Sequence, residues 1–215
     1  MAITLYYGSG SPYAWRVQLA LEAKRLPYER RVLSFSAGDT RKPEFVRLNP
    51  RHRVPTIVDD GYVLWESMAI LEYLEERFGG TKRLYPGTPQ ERGRIRRLCL
   101  EFAEYVDDQG MTLVWEEYFN KGDAAPDAAR VEEGRAKARQ ELEFFAFELQ
   151  GDWFARPGPC AADFVMYPIV AYMKRITVRK PEARLTECIP PAIAAWAARI
   201  EALPYFEKTF PPHWR

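Results

Sequence analysis

The chain has 215 residues, of which 47% are hydrophobic and 28% charged, and this composition excludes a disordered or fibrous protein. Its 31 lysines and arginines nearly balance its 30 aspartates and glutamates, so no overall charge draws it to nucleic acid or to an anionic membrane. Three widely spaced cysteines, with no leader-like or membrane-spanning apolar stretch, lead us to expect a cytoplasmic protein. His52 and His213 lie far apart, so we expect no metal site.

The first 80 residues alternate strand-like and helix-like patterns. The β-rich run from Ile3 to Tyr7 is followed by a glycine turn, after which Ser11 and Pro12 are typical of the N-cap and first residue of a helix. A second strand is predicted over residues 28–33 and a short helix over 43–48. The strand-helix-strand order predicts a parallel strand pair with a right-handed crossover.

A hairpin and a helix complete this first domain. The tripeptide Asp59–Gly61 separates two short apolar runs and is a strong hairpin signal. The segment from Glu66 to Phe78 has one apolar face and ends at two glycines, which predicts an amphipathic helix. We therefore predict an α/β domain over residues 1–80.

The rest of the chain contains helical patterns only. Residues 81–89 hold two prolines and a glycine and are predicted to be a linker. From 90 to 215 we predict an all-α domain, with long helices over 90–119 and 128–150 and further ones beginning at Pro190-Pro191 and Pro204. The segment 162–176 is apolar nearly all round, which predicts a central buried helix.

Several motifs follow one another along this chain. They are Ser-Pro-Tyr-x-x-Arg-Val from Ser11, Asn-Pro-x-x-x-Val-Pro-Thr-Ile from Asn49, Glu-Ser-x-x-Ile-x-x-Tyr-Leu from Glu66, and Ala-Ala-Asp-Phe from Ala161. In this order and spacing they resemble the cytosolic glutathione S-transferase family, in a serine-type, bacterial-like form whose subclass stays open. The resemblance covers nearly the whole chain. It implies a thioredoxin-like N-terminal domain that binds glutathione and a C-terminal helical-bundle domain.

The resemblance implies that Ser11 is the catalytic residue, with its hydroxyl donating a hydrogen bond to the glutathione sulfur. Free thiols ionise near ~8.5, so a donor and the positive end of a helix would favour the thiolate. From the residues alone Ser11 is equally a helix N-cap. Ser9, Tyr7 and Tyr13 remain alternative donors. The first cysteine is Cys99, so chemistry through an enzyme thiol at the first helix is not expected.

Five further residues are implied to bind glutathione. Val54 would pair its backbone with the cysteinyl part, next to a cis peptide bond at Pro55. Glu66 would take the ammonium group and Ser67 the γ-glutamyl carboxylate at a helix N-terminus. Arg53 would neutralise the glycyl carboxylate. Without the resemblance these residues are an edge-strand proline, first-turn helix residues and a solvated cation.

The second substrate implied by the resemblance is a small apolar electrophile between the domains. The residues predicted near it are Tyr13, Tyr105, Thr112 and Trp115. Asp163 is expected to be structural, in a buried capping box whose usual serine or threonine is replaced by Cys160.

The predicted activity is that of a glutathione transferase, with glutathione as co-substrate. The resemblance also implies a homodimer with the helix near Gln90 at its interface. Alternatives are a glutathione-dependent isomerase, dehalogenase or peroxidase using the same site, or a binding protein of the same fold without activity. No nucleic-acid or membrane partner is expected.

Overall fold

The computed structural model describes residues 3–122 and 124–215, which fall into two compact units. The first unit contains the chain up to Leu84 together with Pro204–Arg215, and the second contains Tyr85–Leu203. The sequence assigned residues 204–215 to the helical domain, whereas their contacts group them with the first unit. The functional division at residues 80 and 90 stays a prediction.

Four strands of the first unit form one mixed sheet in the order β2-β1-β3-β4. Strand β1 is parallel to β2 and antiparallel to β3, and β3 and β4 form the hairpin. Asp60 (φ +52°) and Gly61 (φ +86°) both have the positive φ that a two-residue hairpin turn needs. The predicted α/β class is confirmed. The strands are β1 (Ile3–Tyr7), β2 (Tyr28–Val32), β3 (Thr56–Asp59) and β4 (Tyr62–Trp65).

The helices of the first unit are α1 (Pro12–Ala23), the short α2 (Pro43–Val46) and α3 (Ser67–Arg77). A buried ion pair joins the end of α1 to α3, with Lys24 Nζ 3.3 Å from Glu75 Oε2 and both side chains almost inaccessible. Burial lowers the pKa of Lys24. Burial also opposes ionisation of Glu75, but the Leu84 N–H and the nearby cations lower its pKa overall. The ion pair therefore fixes the C-terminal end of α1 relative to the last turn of α3.

The second unit contains α4 (Pro89–Glu101), α5 (Thr112–Phe119), α6 (Ala128–Glu148), α7 (Ala161–Arg179) and α8 (Pro191–Glu201). Its described residues contain no β-strand, and the predicted helical domain class is confirmed. Helix α7 is buried along most of its length, as its apolar sequence predicts.

The segment between α4 and α5, Phe102–Met111, is a π-helix, which the sequence did not predict. The spacing predicted one helix over 90–119 with an α-helical period, but in the structure Asp107 and Gly110 are buried and Gln109 is exposed. A π-helix has a wider turn than an α-helix, so the buried positions move along the sequence. A Cβ added at Gly134 of α6 would lie 2.7 Å from the Gly110 carbonyl oxygen, so the two backbones approach closely.

Trp15 of α1 anchors the C-terminal segment to the first unit. This segment contains α9 (Phe206–Thr209) and a short 3-10 turn, Pro212–Trp214. The buried Trp15 donates from Nε1 to Thr209 Oγ1 at 2.8 Å, and its ring meets that of Trp214 edge-on at 5.5 Å between centroids. These contacts explain why residues 204–215 belong to the first unit.

Candidate active site

The register of the sheet brings the three predicted site segments to one of its ends. Tyr6 pairs with Thr56, and Thr56 pairs with Trp65. Three segments therefore lie at the same end of the sheet. They are the turn after β1, the loop before β3 and the start of α3 after β4.

Ser11 is the N-cap of α1. Its backbone N–H donates to the Gly8 carbonyl at 3.0 Å, which closes the turn after β1. The Ser11 Oγ accepts from the Ala14 N–H at 3.4 Å, a long bond. A hydroxyl that accepts still has its own hydrogen to donate, so the capping role leaves Ser11 able to act on a ligand beside the helix N-terminus.

The loop before β3 presents a stretch of open backbone. The Val54–Pro55 peptide bond is cis, as the resemblance implied. The Val54 side chain is buried with Ala14 and Phe45, which orients the residue. Within residues 3–122 and 124–215, nothing forms a hydrogen bond with the N–H or C=O of Val54. This backbone can therefore pair with an extended peptide.

Glu66 and Ser67 lie where β4 passes into α3. Glu66 has φ +68°, a conformation that is rare for a residue with a side chain and is concentrated at functional sites. Ser67 is 6% exposed, and in the described part of the chain its hydroxyl has no hydrogen-bond partner. A hydroxyl without a partner, on a serine that is otherwise largely buried, at the N-terminus of an 11-residue helix is suited to an anion.

Arg53 is exposed and forms no ion pair with any residue that the structure describes. Lys42, another cation that precedes β3, already has a partner, since its Nζ lies 2.7 Å from Asp39 Oδ1. Arg53, like the neighbouring exposed Arg51, thus remains available to a second carboxylate.

The three alternative donors differ in their surroundings. Ser9 Oγ lies 3.1 Å from His213 Nδ1, so its hydroxyl already has a partner. Tyr7, at the end of β1, packs against the cluster of Ala14, Phe45 and Val54. Tyr13 is 43% exposed, and the Arg16 guanidinium lies over its ring at 4.8 Å.

The helical unit holds the other residues predicted near the electrophile. Thr112 Oγ1 donates to the Asp107 carbonyl at 3.1 Å, within the π-helix, so its hydroxyl has a local structural partner. Trp115 is 37% exposed and donates from Nε1 to Tyr172 Oη at 2.9 Å. Tyr105 is also exposed. Two of these side chains thus offer aromatic surface.

Comparisons with known proteins decide the family. A family model described as the N-terminal domain of glutathione S-transferase matches residues 10–77. Glutathione S-transferase A of Pleuronectes platessa is 30% identical over 217 residues, covering 99% of this chain and 92% of that protein. The chain belongs to the glutathione S-transferase family. The predicted enzyme class, glutathione transferase, is confirmed at the level of this family.

Two further matches agree with the glutathione S-transferase assignment. A glutathione S-transferase of the Antarctic clam Laternula elliptica has a similar structure, with a TM-score of 0.83, 30% identity, and coverage of 100% of this chain and 94% of that one. Glutathione S-transferase D7 of Drosophila melanogaster is 41% identical over 107 residues. That match spans only 49% of this chain and 48% of the fly protein.

Sequence reasoning gave no role to two residues that shape the site of this glutathione S-transferase. Asn49 is buried, and its Nδ2 donates to the Arg53 carbonyl at 2.8 Å and to Thr56 Oγ1 at 3.0 Å. It thereby holds the loop that presents Val54. The signal available in the sequence was an asparagine directly before Pro50. His213 contacts Ser9 across 204 residues of sequence, and no local pattern could have indicated that.

The described residues lack two further kinds of feature. Among them, no three histidine, cysteine or acidic side chains are grouped as they would need to be to hold a metal ion. None of the helices in this part of the chain combines the length and apolar character needed to cross a membrane.

Proposed function

We propose that this protein binds glutathione in its first unit and bonds it, through its sulfur, to an electrophilic carbon of a small apolar substrate. The observation that carries the proposal is the hydroxyl of Ser67, which has no partner among the described residues and begins α3 at the same end of the sheet as the open backbone of Val54. The Ser67 hydroxyl is suited to a carboxylate, and the Val54 backbone is suited to an extended peptide.

The groups of the site match the tripeptide from end to end. The N–H and hydroxyl of Ser67 receive the γ-glutamyl carboxylate, and the exposed carboxylate of Glu66 receives the ammonium group. Val54, preceding Pro55, pairs with the cysteinyl residue as an added strand. Arg53 neutralises the glycyl carboxylate. These contacts fix both ends of glutathione and hence the position of its sulfur.

Ser11 acts on the sulfur. Its hydroxyl donates to the thiolate, which lies beside the positive end of α1, and the thiol proton leaves to solvent. The thiolate then forms a carbon–sulfur bond with the substrate, and the leaving group departs with the electron pair of the broken bond. Tyr13, Tyr105, Thr112 and Trp115 are the proposed contacts of the electrophile.

Retention on immobilised glutathione, followed by turnover of a chlorinated nitroaromatic with free glutathione, tests this function. Retention and turnover together are the expected result. Retention without turnover of this or any substrate in a panel of halides, epoxides and peroxides would point to a binding protein. Absence of both would overturn the proposal.

We expect Ser67→Ala to weaken glutathione binding about 10- to 100-fold, since one hydrogen bond to a charged group is worth about 1.5–3 kcal/mol. Calorimetric titration with glutathione measures the change in Kd. Ser36→Ala is the control, because Ser36 is exposed and its hydroxyl meets only that of Ser34 at 3.1 Å. Equal Kd values in the two variants would contradict the role of Ser67.

We also propose that the protein is a cytoplasmic homodimer with α4 at its interface. The three cysteines, Cys99, Cys160 and Cys188, are free thiols, as a reducing compartment requires. Exposed apolar side chains lie on α4 and α6, which the ion pair of Arg97 and Glu148 joins at 2.9 Å. They are Leu100 (62% exposed), Phe144 (40%) and Phe147 (88%). Apolar exposure of this kind marks an interaction surface.

Phe147→Glu is expected to convert the dimer into a monomer, because it would bury a charge in an apolar contact. Sedimentation velocity at micromolar concentration measures the mass. Val178→Glu, at an apolar side chain of α7 that is 72% exposed, is the matched control and should leave the dimer intact. A parent protein that sediments as a monomer would contradict the dimer, and a Phe147→Glu dimer would contradict the interface.

A further inference from the structure

The C-terminal segment covers the turn that carries Ser11. Ser9 Oγ and His213 Nδ1 are 3.1 Å apart, a hydrogen bond in either direction. Gly10, between the two serines, has φ +83°, and a Cβ there would lie 2.9 Å from Trp214 Nε1 and 3.0 Å from a His213 ring carbon. His213 and Trp214 are therefore packed directly on the backbone of this turn.

His213 and Trp214 belong to a segment that packs closely against α1. Trp15, whose side chain is 1% exposed, bonds to Thr209 and meets the rings of Phe210 at 5.9 Å and Trp214 at 5.5 Å. On the other side of the segment, Arg30 donates to the Lys208 carbonyl at 2.9 Å. Trp15 belongs to the helix that Ser11 caps. The C-terminal segment is therefore fixed to α1 and, through it, to the turn from Gly8 to Ser11.

We propose that His213 is a positioning residue for thiolate formation, acting through Ser9. Its ring holds Ser9 Oγ in place and, with Trp214, keeps the turn from Gly8 to Ser11 in the form that presents the Ser11 hydroxyl to the glutathione sulfur. The inference rests on the proposed function, since it concerns the same site. It assigns Ser9 a supporting role and leaves Ser11 as the donor.

The pKa of the enzyme-bound glutathione thiol is the decisive measurement, read from the ultraviolet absorbance of the thiolate as a function of pH. In His213→Ala we expect that pKa to rise by about 0.5–1 unit, with kcat at neutral pH about three- to tenfold lower. The KM for the electrophile should stay unchanged, since His213 contacts the turn and not that substrate. Ser9→Ala should give the same change, and the double variant should add nothing to it.

Two further variants separate positioning from general loosening. His213→Asn places an amide close to where Nδ1 lies and should restore most of the parent thiol pKa. Lys208 lies in the same segment, and among the described residues its ammonium has one ionic partner, Glu22 at 3.5 Å. Lys208→Ala should therefore leave the thiol pKa at the parent value. Thermal midpoints of all variants show whether they are folded.

The outcomes of this experiment are distinct. If the parent retains and ionises glutathione but His213→Ala has the parent thiol pKa and kcat, the positioning role is wrong and the proposed function stands. If His213→Asn and His213→Ala lose ionisation equally, the hydrogen bond is not what matters and the inference also fails. If the parent does not bind glutathione, the proposed function fails and the inference falls with it.

Discussion

Asp163→Ala should lower the free energy of unfolding by about 3–5 kcal/mol, the range for removing one partner of a buried charged network. The Asp163 carboxylate, at the start of α7, is completely buried. Its Oδ2 accepts from the Cys160 N–H at 2.8 Å. Its Oδ1 accepts from Trp196 Nε1 at 2.8 Å and from the Phe154 N–H at 3.3 Å. Truncation would leave three buried donors without an acceptor.

Urea unfolding followed by circular dichroism measures this loss. Asp152→Ala is the control, because the Asp152 side chain is 74% exposed and its ionic contact with Arg199 is long, at 3.6 Å. This variant should lower the free energy of unfolding by less than about 0.5 kcal/mol. Asp163→Asn keeps the shape and one acceptor but turns an N–H toward one of the three donors, so it should fall between the two. An Asp163→Ala protein as stable as Asp152→Ala would show that Asp163 does not hold the helix start.

The Asp163 site shows both what a motif predicts and what it leaves out. The capping-box spacing predicted a buried structural aspartate, and the Cys160 N–H bond to Oδ2 agrees with it. The bonds from Trp196 and Phe154 reach Asp163 from outside the capping box, 33 and nine residues away, so the spacing of the box could not predict them. Burial raises the pKa of Asp163, and the hydrogen bonds oppose that rise.

The elements of the first unit were predictable because their signals are local. Asp60 and Gly61 fix the hairpin, and Ser11 and Pro12 fix the start of α1 within one residue. The π-helix was not predictable from a period of 3.6 residues. Gly110 of the π-helix lies close to Gly134 of α6, a contact that no local spacing could indicate.

The residues of the candidate site also divide into those with a local sequence signal and those that depend on tertiary contacts. The motifs pointed to Ser67 and Val54, and the structure adds that both have unpaired polar groups within the described residues. Asn49 and His213 act by holding other residues, through contacts that depend on folding. Supporting residues of this kind carry no sequence pattern of their own, and a single sequence therefore leaves them unassigned.

Ser11→Ala should raise the pKa of the bound glutathione thiol by about 1–2 units, because a hydrogen bond to a charged sulfur is worth about 1.5–3 kcal/mol. Turnover at neutral pH should fall about 10- to 100-fold in proportion to the lost thiolate. Tyr7→Phe is the matched control and should keep the parent thiol pKa. A Ser11→Ala protein with full activity, or a Tyr7→Phe protein that loses ionisation, would assign the donor elsewhere.

The capping role of Ser11 complicates that variant, because Ser11→Ala also removes the bond from Ala14 and should cost about 1 kcal/mol of stability. Ser11→Asp separates the two roles. A carboxylate is as good an N-cap as a hydroxyl and favours the helix dipole, so α1 should be at least as stable as in the parent. It has no hydrogen to donate at neutral pH and repels a neighbouring thiolate, so ionisation of bound glutathione should be lost while the fold is kept. A Ser11→Asp enzyme that is stable and still ionises glutathione would mean that Ser11 serves α1 alone.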